Sequence, residues 1–124
     1  MLNTGEDLLI SGQKLLGYTT GSGGAVTQAT DKSTGVTLDT PTGQITMHNA
    51  SLAAAAIVTF ILTNSFITAT DNVVVTANFA GGPYEAWVYA VGAGQCSIAV
   101  RNAGGGPLSD AVVLNFAVLN GANA

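Results

Sequence analysis

The stretch Ala111-Val-Val-Leu-Asn-Phe-Ala-Val-Leu119 decides the fold class. It holds no charge, glycine or proline, and its Val, Leu and Phe suit a pleated, buried surface. At the two-residue period of a strand, Leu114, Phe116 and Val118 take one side. Val113, Ala117 and Leu119 take the other. A sheet with one wet face alternates apolar and polar residues. This strand is apolar on both faces, as are Val73-Val-Val75 and Trp87-Val-Tyr89. A two-sheet domain buries only one face of each sheet. The second face must meet another chain, an N-terminal arm, or water at about 25 cal/mol per Å². Contact with another chain is the least costly solution, and symmetric closure is its usual form.

Outward from that stretch the chain repeats the pattern. Strands are expected at 25–30, 34–39, 43–48, 57–63, 72–79, 85–91, 95–101 and 111–119. Turn signals separate them at Asp31-Lys-Ser33, Pro41-Thr-Gly43, Gly81-Gly-Pro83, Gly92-Ala-Gly94 and Gly104-Gly-Gly-Pro107. About eight short strands without helical periodicity predict an all-β fold, an antiparallel β-sandwich wound like a jelly roll. Ser51-Leu-Ala-Ala-Ala-Ala56 reads as a loop feeding the next strand, with one helical turn as the competing reading. Residues 1–20 differ from the rest. Paired leucines broken by Gly12 predict an N-terminal arm anchored by Leu8, Leu9, Leu15 and Leu16, or a short amphipathic helix. The sandwich domain then spans 21–124.

Of 124 residues only 8% are charged, three Lys or Arg against seven Asp or Glu. An ordinary domain of this length carries about 30 charges. Three cations cannot line a nucleic-acid groove. The net charge of −4 gives no attraction to membranes. The longest nearly apolar run, 52–62, is too short to span a bilayer as a helix. The start of the chain lacks the basic region and apolar core of a signal peptide, and a lone cysteine suits a reducing compartment. Synthesis in the cytoplasm is expected.

Residue types that carry chemistry are scarce. His48 is the only histidine and reads as a half-exposed strand residue. No nucleophile-elbow pattern accompanies any serine. Asp31, Asp39 and Asp71-Asn72 lack Ca²⁺-loop spacing and read as turn residues. Glu6 and Glu85 lie far apart in sequence, and seven acids make any carboxylate pair uninformative. Gly21-Ser-Gly-Gly24 lacks the Lys-Ser/Thr of a phosphate loop. Asn49-Ala-Ser51 matches a glycosylation sequon by letter only. Cys96, between apolar neighbours, reads as a small buried side chain. No enzyme, metal or cofactor is expected. Tyr84, Trp87 and Tyr89 cluster in sequence; they read as core or interface packing, or as a surface that stacks on sugar.

Several stretches together resemble a known family: 17–38, Gly43-Gln-Ile-Thr-Met47, Leu62-Thr-Asn-Ser65, Cys96-Ser-Ile-Ala-Val-Arg-Asn102 and 108–119. They are similar to a family of small β-sandwich virion proteins of tailed bacteriophages. Its members occur as head decoration (cement) proteins and as domains at the ends of tail fibres or spikes. The resemblance implies a structural role, a homotrimer, and the major capsid protein as partner at the capsid surface. With only about 20 residues before the family body, decoration is the expected role. A trimeric tail-fibre module that binds a receptor or host surface glycan is the alternative. The expected interface residues are Leu8, Leu9, Leu15, Leu16, Val113, Ala117 and Leu119. No catalytic residue is carried over.

Overall fold

The computed structural model describes residues 10–122. The fold is all-β, with eight strands and no helix among the described residues. They are β1 Ala25–Thr27, β2 Val36–Thr37, β3 Thr42–Thr46, β4 Ile57–Thr63, β5 Asn72–Phe79, β6 Tyr84–Gly92, β7 Gln95–Asn102 and β8 Val113–Leu119. Two four-stranded sheets form the sandwich. The first is ordered β1-β3-β8-β5 and the second β2-β4-β7-β6. Residues 51–56 form a loop in which Leu52 bridges to Leu108 and Ala55 adopts a left-handed φ of 60°.

The pairing corrects the expected antiparallel sandwich at two edges. β1 pairs with β3, and β2 with β4, in parallel. From β1 to β6 every connection crosses to the opposite sheet, so the chain coils through three two-stranded turns. Successive turns bring like-directed strands side by side, which makes the edge pairs parallel. A hairpin at Gly94, with φ +77°, then joins β6 to β7. The last two strands insert into the coil: β7 between β4 and β6, β8 between β3 and β5. Both pair antiparallel to their neighbours on either side.

This insertion explains why β7 and β8 are the most buried strands. Each is flanked on both edges and packs inward against the other sheet. Ile98, Val100 and Cys96 from β7 meet Leu114, Phe116 and Val118 from β8, with Ile45, Phe60, Leu62 and Val75 completing the core. The inward and outward sides of β8 fall where the alternation put them: Leu114, Phe116 and Val118 are buried, Val113 and Ala117 half-buried, and Leu119 exposed. Gly43 sits inside the sandwich because no larger residue fits. A Cβ there would lie 2.8 Å from the Gly24 carbonyl oxygen and from Leu38.

Polar groups tie the loops at the two ends of the sandwich. At one end the buried Lys32 ammonium donates to the backbone carbonyls of His48 and, at 2.6 Å, Asp110. Burial lowers the Lys32 pKa, and the Asp110 carboxylate opposes that shift. Gln28 closes the same corner by donating to the Lys32 and Thr34 carbonyls and accepting from the His48 N–H. At the other end, Asp71 accepts from the Thr68 and Gly121 N–H groups. Those bonds hold its pKa below the usual value. Among the described residues no buried side-chain polar atom lacks a partner.

Candidate functional site on the outer face of the second sheet

Large apolar side chains remain exposed in this fold, and four of them share one surface. Ile57 and Ile61 project from β4, Trp87 and Tyr89 from β6. Their exposures are 55%, 42%, 37% and 55%. Alternation places them: Phe60, Leu62, Ala86 and Val88 turn inward, so their neighbours turn out. In the pairing register Trp87 lies beside Ala99, and Ala99 beside Thr59. Ala99 is buried although it faces outward, because its larger neighbours roof it. Ser33, Gly35, Thr59, Ile61, Tyr89 and Ser97 line a shallow depression of about 340 Å³ beside this platform. The charged groups in the outward rows are one pair, Arg101 Nη1 donating to Glu85 Oε1 at 2.6 Å.

A β-bulge shapes the platform. The register passes from Val88–Ile98 directly to Ala90–Ser97, so Tyr89 is an extra residue on β6. Tyr89 and Ala90 both end up exposed, and Val91 turns back onto the core. Without the bulge Ala90 would face inward and Val91 outward.

The same geometry divides the aromatic cluster seen in the sequence. Trp87 and Tyr89 share the outer face. Tyr84 faces inward, half-buried, and its hydroxyl donates to Asp110 Oδ2 at 3.0 Å. Burial, first of all, raises its pKa. The three aromatic side chains therefore do not share one surface; Trp87 and Tyr89 do.

The expected interface residues do not gather into one patch. Leu8 and Leu9 lie outside the described residues. Leu15 and Leu16 are 95% and 73% exposed. They belong to residues 10–20, which form no strand and are exposed throughout. Val113, Ala117 and Leu119 lie on the outer face of the first sheet, opposite the platform. Ile57 and Ile61 were not singled out from sequence, although the alternation of 57–63 marks them as outward. Phe79 was also missed. The register of β5 jumps between Ala77 and Phe79, and this second bulge turns Phe79 out to 66% exposure.

No protein-family model, no curated protein and no solved structure matches the chain. The site therefore has to be read from its own chemistry. His48 follows β3, half-buried, with Nδ1 accepting from the Ala50 N–H. Asp31 is exposed and closes its own turn by accepting from Ser33 and Thr34, which lowers its pKa. Cys96 is buried, and desolvation pushes its thiol up to about 11. Among the described residues no group of three His, Cys, Asp or Glu side chains is placed to hold a metal ion. No helix is long and apolar enough to cross a membrane among them. What the platform offers chemically is apolar area with two aromatic planes and a self-neutralised charge pair. That surface suits burial against another macromolecule.

Proposed function

We propose that this chain is a structural subunit of a tailed-phage virion: a head decoration protein that assembles as a homotrimer. In this reading it is made in the host cytoplasm and binds the major capsid protein on the assembled head. The carrying observation is the exposed platform of Ile57, Ile61, Trp87 and Tyr89, an area that a solitary domain gains nothing by showing to water. The resemblance in sequence supplies the virion. The mechanism is linkage. A protein that binds only the assembled shell stabilises it by mass action. With few charges at the surface, binding should persist from low to moderate salt.

The test is addition of purified protein to heads that lack it. Saturable binding and a higher temperature of head disruption support decoration. Heads that neither bind the protein nor gain robustness overturn it. The side-by-side placement of Trp87 and Tyr89 favours one second reading, a glycan-binding fibre module. Saturable binding to host-surface glycans, lost in Trp87→Ala while the protein stays folded, would replace the first reading with this one.

A further inference from the structure

Two unsatisfied apolar features stand in the same chain: the platform on the second sheet, and the leucines of residues 10–18. We propose that they satisfy each other between copies. Residues 10–18 of one copy lie across the outer face of the second sheet of a neighbouring copy, with Leu15 and Leu16 against Trp87 and Tyr89.

The attachment of the arm begins the argument. Val118 donates its N–H to the Pro41 carbonyl at 2.8 Å. In an antiparallel pair of this kind the return bond would run from residue 41 to the Val118 carbonyl. Proline has no N–H to give. The Tyr18 hydroxyl donates to that carbonyl instead. Tyr18 is thereby tied to the end of the first sheet. The two sheets of a sandwich stand about 10 Å apart, with a further side-chain layer outside each. The anchor is the phenol, so the Tyr18 side chain and three residues of chain, about 16 Å together, would have to round the sandwich to bring Leu15 to its far face. The exposures agree: Leu15 and Leu16 touch little of their own body.

Area points to the same occupant. Residues 10–20, extended, expose roughly 1,700 Å² by the scaling of unfolded chains. Laying one side on a sheet would bury about 800 Å², the contribution of one partner to a standard interface. The charged groups of the receiving face are the Arg101–Glu85 pair, which neutralise each other, so the contact there is apolar. Gly12 and Gly17 flank the leucines and let the backbone lie flat. A contact from arm to face joins two different patches, and repeating it through a closing rotation gives a ring.

This inference rests on the homotrimer of the proposed function, and its test uses the purified protein alone, so its failure is distinct from a failure to bind heads. Two variants are needed: Leu15→Glu/Leu16→Glu, which spoils the arm, and Trp87→Glu, which spoils the face. Both sites are exposed, and circular dichroism confirms that each variant folds. Sedimentation of the wild type at about 10 μM should show a closed oligomer, and each variant alone a monomer. Loss of a central anchor should weaken association about thirtyfold or more. Mixing the two variants should restore one good contact and yield a 1:1 dimer, since one contributes an intact arm and the other an intact face. Trp87 is the only tryptophan, so its emission should shift to the blue on mixing. A monomeric wild type overturns the proposal, as do variants that keep the oligomer. A mixture that stays monomeric overturns it too, in favour of arm-to-arm or face-to-face contact.

Discussion

Outside the core, the first sheet presents Thr42, Gln44, Thr76 and Asn115 around a groove of about 490 Å³, with Val74 and Ala117 beside them. The second presents Ile57, Ile61, Trp87 and Tyr89. Inside, the two sheets contribute alike, β8 and β7 filling the centre from either side. The inward residues of both are interchangeable in kind, because a core asks only for apolar volume. The outward residues are not: the first sheet mixes its Thr, Gln and Asn with exposed Val74, Phe79 and Leu119, whereas the second gathers four large apolar side chains around one neutralised charge pair. Inward residues report the fold, and outward residues report the use.

Substitutions at adjacent positions of β8 give the largest expected contrast. Leu114→Ala should cost about 3–4 kcal/mol by opening a cavity, and Val113→Ala, half-buried on the outer side, about 1 kcal/mol. Equal losses in denaturant unfolding would erase the distinction between the two faces. Gly43→Ala should cost about 3 kcal/mol, because the new methyl meets the Gly24 carbonyl, which is backbone and cannot turn aside. A thermal midpoint unchanged from wild type would contradict the close approach. Lys32→Met should cost about 2 kcal/mol. It keeps the buried length but strips a donor from the His48 and Asp110 carbonyls.

The core thiol gives a smaller, pH-dependent effect. Folded Cys96 titrates at about 11, above the ordinary value of 9.0. The unfolded chain therefore loses this proton first. The associated stability is full below pH 9 and is lost as pH rises through 11. The stability advantage of wild type over Cys96→Ala should shrink by about 2 kcal/mol between pH 9 and 11. The native thiol should also resist labelling at pH 8 until denaturant is added. The smallest effect on stability belongs to the outer faces. Ile61→Thr on the second sheet and Thr76→Val on the first should each change stability by under about 1 kcal/mol. They should move the binding of an apolar dye in opposite directions, down and up. A common direction would mean that the two faces are not distinct in use.

Much of this is legible before folding. Strands β4 and β5 coincide with the expected 57–63 and 72–79, because glycine, proline and polar turns bracket runs of Val, Ile and Phe. The platform is half legible. Trp87 and Tyr89 stand out as aromatic, whereas Ile57 and Ile61 share the outward row with Thr59 and Thr63 but carry no residue type that points to use. Tyr84 was grouped with Trp87 by closeness in sequence, and the odd spacing from 84 to 87 sends it to the other face. Lys32 reads as a turn residue. Only the meeting of residues 48 and 110 around it buries its stem and receives its protons.

The sequence alone determined which side chains of a strand go together, and where strands stop. Alternation is a property of the pleat, and turn chemistry is a property of a few adjacent residues. It also determined that charge would be scarce at the surface. Tertiary structure decided which strands lie side by side. Nothing local to 111–119 says that it inserts between β3 and β5, or that β1 and β2 pair in parallel with the next turn of the coil. It also decided the two bulges, each of which turns the residues beyond it to the opposite face. The reason is the same in both cases. A register is fixed by the burial of partners distant in the chain, and a shift of one residue exchanges inside for outside.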